Sequence, residues 1–262
     1  MGQNSTQIQL QKAELSSAFH LGPDDVHIWW GSLSPEVEPA SLHPLPADRL
    51  LAEDEMARAA RFYFERDRLR YITGRAGLRQ LLGIYTGLDP KVINFEYTFL
   101  GKPGLKVEDG QDLIQFNLSN SGDRVLYAFS LKRLVGIDLE LVHPMADIDD
   151  FAAQFFCASE CALLSALSGS VKLDTFFELW TCKEALLKAM GDGLTRPINE
   201  VEIELSEDGP RLISIGGDCS QADDWQIRLF QPAPGYQAAL AVEGRNWRSN
   251  FFSFSPLIGA GL

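Results

Sequence analysis

Histidine is scarce in this 262-residue chain. His20, His27, His43 and His143 are all there is, none beside another chemical motif, so histidine-driven catalysis has little to stand on. The phosphate-cradling G-x-x-x-x-G-K-[ST] loop, the dinucleotide-binding G-x-G-x-x-G turn, the G-x-S-x-G elbow and the H-E-x-x-H metal helix are all missing. Cysteine is equally sparse. Cys157, Cys161, Cys182 and Cys219 form no C-x-x-C pair and have no nearby histidines to complete a zinc site, so they read as reduced packing thiols. No apolar run approaches the roughly 20 residues that a bilayer span needs. Residues 1–11 are polar without an apolar stretch before a cleavage site, and a cytoplasmic location is expected. Positive charge is short too: the formal balance is −13, which argues against general affinity for nucleic acid or anionic membrane. Any anionic ligand must meet a local basic patch.

Such a patch exists. Between Arg58 and Arg79 stand seven arginines (58, 61, 66, 68, 70, 75, 79) against only Glu65 and Asp67. Apolar residues Leu69, Ile72, Leu78, Leu81 and Leu82 recur at three- and four-residue spacings, which predicts an amphipathic helix over 66–82. A merely solvated helix face explains a bare charge cluster equally well.

Strand patterns are expected at 26–30, 92–97, 116–118, 125–129, 135–141, 200–205, 225–230 and 237–242. A Gly101-Lys102-Pro103-Gly104 turn falls between the second and third of these, and 32–47 reads as a connection. Helices are expected at 149–166 and 172–190. Each half thus runs strand, helix, several strands. This order predicts two similar α+β lobes, 25–133 and 134–254, with the boundary near 131–134. The segments 1–24 and 255–262 are expected to be flexible.

Carboxylates offer the most chemistry. In Val135-Gly136-Ile137-Asp138-Leu139-Glu140-Leu141, strand alternation places Ile137, Leu139 and Leu141 on one face and Asp138 with Glu140 on the other. Two like charges side by side suit a hard cation such as Mg²⁺, although an exposed strand face would also tolerate them. Helical spacing puts Trp180, Glu184 and Lys188 in one row, where an ordinary i,i+4 ion pair is the plainer reading. Gly191-Asp192-Gly193 supplies a permissive helix end.

The order of these motifs is more specific than any one of them. A basic helix, Gly101-Lys102-Pro103, Phe116-Asn117-Leu118-Ser119, Gly136-Ile137-Asp138-Leu139-Glu140 and Trp180-x-x-Lys183-Glu184-Ala185-x-x-Lys188 together resemble the Sfp-type 4′-phosphopantetheinyl transferases over about 26–194. The resemblance implies an α+β pseudo-dimer of two similar lobes, with coenzyme A and Mg²⁺ in the cleft between them. It implies that Asp138, Glu140 and Glu184 hold the metal, and that Glu184 and Lys188 serve catalysis. Arg58, Arg66, Arg70, Arg75, Lys102, Ser119, Asn120 and Lys183 would contact the coenzyme. The implied partner is an apo acyl- or peptidyl-carrier protein, the implied product 3′,5′-ADP, and the implied state a monomer.

One position departs from the family pattern. Asn120 stands where relatives usually carry histidine; an amide can hydrogen-bond but never carries positive charge, so weaker coenzyme binding is expected. Two other classes use similar residues: a Mg²⁺-dependent phosphohydrolase or nuclease, and a paralogue that binds coenzyme A or carrier without transfer.

Overall fold

The computed structural model describes residues 11–12, 19–34, 46–99, 101–106, 113–191 and 196–255. Most of the segment expected to be flexible at 1–24, the greater part of the 32–47 connection, Asp192 with Gly193, and the tail from 256 lie outside the described residues.

Two halves repeat one plan. The first runs from a two-residue strand β1 (Gln11–Lys12) through β2 (Asp25–Ser32), two short helices α1 (Ala47–Leu50) and α2 (Glu53–Ala59), and a long helix α3 (Glu65–Thr86). After α3 come a 3₁₀ turn (Pro90–Val92), the hairpin β3 (Phe95–Tyr97) and β4 (Pro103–Leu105), and the pair β5 (Ile114–Ser121) and β6 (Arg124–Leu131). The second half repeats this order with β7 (Val135–Leu141), short helices α4 (Ile148–Phe155) and α5 (Ala158–Ser165), and long α6 (Gly169–Met190). A 3₁₀ turn (Ile198–Glu200), the hairpin β8 (Val201–Ser206) and β9 (Gly209–Ile215), and the pair β10 (Trp225–Phe230) and β11 (Tyr236–Glu243) complete it. Both long helices span 22 residues and end on a left-handed glycine, Gly87 at φ 70° and Gly191 at φ 78°. Strand order β2-β6-β5 in one sheet matches β7-β11-β10 in the other. The expected pseudo-dimeric α+β fold is therefore present.

The last strand, β12 (Arg248–Phe254), crosses back and pairs in parallel with β2, so the first sheet reads β1-β12-β2-β6-β5. Phe252 and Phe254 turn inward from it, and the Phe252 ring stacks on Trp29 at 4.7 Å. Residues 248–254 thus belong to the sheet of the first half, which the expected 134–254 lobe did not allow for. Gln11–Lys12 pairs with Phe252–Ser253 and extends that sheet further.

Other departures are local. The expected strand at 92–97 shortens because Pro90 opens a 3₁₀ turn capped by the Asp89 carboxylate, which accepts from Lys91 N at 2.8 Å. The expected helix at 149–166 breaks at Phe156 and Cys157, where Cys157 N donates to the Glu160 carboxylate at 2.9 Å and starts α5 afresh. Strands β1, β4, β9 and β12 and helices α1 and α2 had no counterpart in the sequence reading, β1 falling in the segment expected to be flexible.

Four apolar clusters hold the described residues together, the smallest packing α1 and α2 on α3 through Leu50, Leu51, Ala59, Ile72 and Ala76, and the other three larger. Of these three, one lies under α3, one under α6, and the third joins the sheets through Val26, Ile28, Trp30, Leu126 and Ala128 against Ile137, Leu139, Leu240 and Val242. No helix among the described residues is long and apolar enough to cross a membrane.

The tightest helix-on-strand contact is at Gly136. A Cβ there would stand 2.1 Å from Ala185 O and 2.3 Å from Ala189 N, closer than any real contact. Gly136→Ala must push α6 off β7, and we expect it to cost about 3 kcal/mol or more. Chemical denaturation measures this; a loss below about 1 kcal/mol would show that α6 can shift freely.

Candidate active site

The site forms where β5 of the first half runs beside β7 of the second. Alternate residues on one face of β5 each reach across. Asn117 Oδ1 accepts from Ile137 N at 2.9 Å, Ser119 Oγ donates to Asp138 Oδ1 at 3.0 Å, and Ser121 Oγ donates to Glu140 Oε2 at 2.9 Å. Ser121 Oγ also accepts from Leu141 N at 3.0 Å. Period-two alternation of a strand is what aligns all three.

On β7, Ile137 and Leu139 enter the inter-sheet core as expected, and Gly136, Asp138 and Glu140 face α6. The row Trp180, Glu184 and Lys188 on α6 answers them. Lys188 Nζ donates to Asp138 Oδ1 at 2.5 Å and to Ser119 Oγ at 3.1 Å, while Trp180 stands on the Glu140 side of the row. Burial, then the charge of Asp138, pushes the Glu140 carboxyl above its ordinary range. Burial raises Glu184 as well; Lys188 opposes that rise and Asp138 adds to it. The three carboxylates therefore share one field, with Lys188 as the cation among them.

Asp138 is only 2% exposed, and its Oδ2 is buried without a hydrogen-bond partner. A buried carboxylate oxygen left bare is costly, and a cation is the natural partner for it. Among the described residues no three His, Cys, Asp or Glu side chains converge into a ready-made metal cage. The expected ligands Asp138, Glu140 and Glu184 are thus not gathered around one point, although their oxygen donors are of the kind Mg²⁺ takes.

One cavity borders this centre, and another opens in the first half. The former, of about 290 Å³, is lined by Trp180, Glu184 and Leu187 from α6, Gln154 and Phe155 from α4, and residues 196–199. The other, about 630 Å³, is lined by Arg58, Arg61, Phe62, Tyr71 and Tyr97 with Asp54 and Glu55. Arg58 is in that wall, its guanidinium 5.5 Å from the Tyr71 ring.

The remaining basic residues divide. Arg66 is on the surface beside Asp67, and Arg70 pairs with Asp67 and with Asp123 in the β5–β6 turn. Asn120 is exposed on β5. Three expected coenzyme contacts are otherwise engaged. Arg75 is buried, paired to Glu55 at 2.6 Å, and Glu55 also holds Arg79. Lys102 Nζ donates to backbone carbonyls of Lys188 and Ala189. Lys183 points the opposite way from Lys188, fully buried, ion-paired with Glu160 at 2.6 Å and donating to Val201 O at 2.5 Å. A five-residue step along a helix turns a side chain to another face, which explains why these two lysines part. Sequence reading passed over Asn117 and Ser121 as site residues, although the alternation of polar Gln115, Asn117 and Ser119 with Ile114, Phe116 and Leu118 was the available signal.

Comparison with known proteins follows this geometry. A family model described as the 4′-phosphopantetheinyl transferase superfamily matches residues 134–241, and one described as the 4′-phosphopantetheinyl transferase N-terminal region matches 38–132. The 4′-phosphopantetheinyl transferase HetI of a Nostoc species is 38% identical over 88% of this chain and 93% of its own length. The chain belongs to the 4′-phosphopantetheinyl transferase family. Sfp of Bacillus subtilis, another transferase of that name, is 30% identical over 73% of this chain and 82% of its own. Among solved structures, a holo-(acyl-carrier-protein) synthase from Bacillus anthracis covers 42% of this chain and 96% of itself, with TM-score 0.36 and 22% identity.

Lys183 in this transferase is a packing cation, and its removal leaves Glu160 buried and unpaired. Lys183→Met should cost about 3–5 kcal/mol in chemical denaturation. The protein that still folds should bind coenzyme A within about twofold of wild type, given that Lys183 lies away from Asp138. Unchanged stability with lost coenzyme affinity would return Lys183 to the ligand site.

Proposed function

We propose that this transferase moves the 4′-phosphopantetheine arm of coenzyme A onto a serine hydroxyl of an apo acyl- or peptidyl-carrier protein, releasing 3′,5′-ADP, in a Mg²⁺-dependent reaction carried out by a single chain. The observation that carries the reading is the bare Asp138 oxygen beside Glu140, Glu184 and Lys188 at the junction of the two halves.

In the reaction the serine oxygen forms a bond to the β-phosphorus, and the bond from that phosphorus to the pyrophosphate bridging oxygen breaks. The bridging oxygen leaves with 3′,5′-ADP and the serine proton goes to a base. Such a transfer depends on position and charge stabilisation more than on a covalent enzyme intermediate. Asp138, Glu140 and Glu184 would hold Mg²⁺, whose chemistry here is to neutralise charge developing on the pyrophosphate oxygens. Glu184 is the proposed base, since it lines the cavity beside Trp180 and burial makes its carboxylate more basic than usual. Lys188 keeps Asp138 oriented through Oδ1, leaves Oδ2 open, and is placed to meet a phosphate. Arg58 opens onto the large cavity of the first half and suits the 3′-phosphate.

Intact mass of an apo-carrier incubated with the chain, coenzyme A and Mg²⁺ should rise by one phosphopantetheine, with equimolar 3′,5′-ADP, and chelation should abolish the gain. Release of 3′,5′-ADP without carrier would indicate a hydrolase instead, and coenzyme binding with no mass gain would indicate a non-transferring relative. In the same assay Glu184→Gln should lower turnover by about 10²–10⁴ while keeping most coenzyme affinity.

Asn120→His should tighten coenzyme A about fivefold below pH 6.5, where the ring is charged, and lose that gain as the imidazole deprotonates above it. Calorimetric titration at two pH values reads this; equal affinity at both would mean that position 120 does not face the coenzyme phosphates.

A further inference from the structure

The Lys102 ammonium stands in an unusual place for a group expected to grip a phosphate. It projects from the β3–β4 hairpin of the first half, yet its three N–H donors face backbone carbonyls of the second: Lys188 O at 2.6 Å, Ala189 O at 2.9 Å and Val135 O at 3.5 Å. The first two belong to the last turn of α6, the third to the first residue of β7.

A helix leaves its final carbonyls without intrahelical donors. Gly191 satisfies only Leu187 O, by donating its N–H at 3.1 Å, and Lys102 takes two of those that remain. The partial negative charge at a helix C-terminus favours an ammonium there. The lysine stem also lies along the same helix end, its Cδ 3.7 Å from where a Cβ on Gly191 would stand. Swinging the ammonium toward a ligand would strip these part-buried carbonyls of the Lys102 donor.

The two elements it ties carry the reacting groups. Lys188, whose carbonyl accepts from Lys102, sends its own side chain to Asp138, three residues along β7 from Val135. We propose that Lys102 is a positioning residue: a strut from the first half that sets the last turn of α6 against the start of β7, and so fixes the distance between Lys188 and Asp138, rather than a contact for the coenzyme phosphates. Only the kinetic arm of its test rests on the transfer reaction proposed above.

Lys102→Met keeps the stem and removes the donors. The strut requires a thermal midpoint lower by about 2–4 °C or more in the metal-free, coenzyme-free chain. It further requires kcat lower by about 10- to 100-fold and a coenzyme A dissociation constant within about threefold of wild type. An unchanged midpoint together with coenzyme affinity weakened tenfold or more overturns the proposal in favour of a phosphate contact. Should Lys102→Met fail to fold, hydrogen exchange on the wild-type chain decides. Amides in the last turn of α6 should keep or gain protection when coenzyme A is added, whereas loss of protection there would mean that the ammonium leaves the helix end for the ligand. The midpoint and exchange readings hold even if wild type transfers nothing, so a failed strut and a failed transferase are told apart.

Discussion

At Gly136 the backbones of β7 and α6 approach so closely that no side-chain carbon fits between them, and the active centre follows from that approach. Ala185 and Ala189, small residues on the helix, are the other half of the contact. With the helix this near, the row Trp180, Glu184 and Lys188 falls directly opposite Asp138 and Glu140. Lys188 then reaches Asp138 without crossing a layer of packed apolar side chains. A bulkier contact would widen the gap and leave the buried Asp138 without its cation, an arrangement that proteins seldom tolerate. Packing geometry and electrostatics are here one constraint.

The internal two-fold plan explains why the centre sits at a junction. Each half packs a 22-residue helix on a three-strand core, but the two have diverged in what they present. In the first half the helix contact is sealed by Tyr127, whose hydroxyl donates to Gly74 O at 3.0 Å, and the arginines beyond it are largely committed: Arg75 and Arg79 to Glu55, Arg70 to Asp123. In the second half the corresponding space holds acids. The polar edge of β5 then becomes a lateral brace for those acids, Ser119 on Asp138 and Ser121 on Glu140, so neither half has a complete site alone. The returning strand β12 ties the end of the chain to the first sheet and makes separation of the halves harder still.

What was legible in the sequence was mostly what periodicity controls. Alternation placed Asp138 and Glu140 on a common face away from Ile137 and Leu139, and four-residue spacing placed Trp180, Glu184 and Lys188 in a row; both arrangements are present in the structure. Direction within a helix of mixed character was not legible. Lys183 and Lys188 look alike in a motif, yet one enters the core to meet Glu160 and the other lines the site, because only tertiary packing decides which face of α6 meets which neighbour. Arg75 was misread for the same reason: its partner Glu55 is 20 residues away in a helix too short to announce itself. Strand β12 was missed because its neighbour β2 lies at the far end of the chain, and no local pattern encodes a pairing of that range.

A ligand for this junction must satisfy two opposite demands. The second half offers three carboxylates, two of them pushed toward their neutral forms by burial, with a bare oxygen on the third; that surface calls for positive charge. In the first half Arg58 and Arg61 share the wall of a large cavity with Asp54 and Glu55, in a protein whose net charge is −13; the guanidinium side of that wall suits negative charge. A simple anion would meet repulsion at Asp138, and a bare cation would leave the arginines unused. On the proposed reading, a phosphorylated anion that carries its own divalent ion would answer both charges.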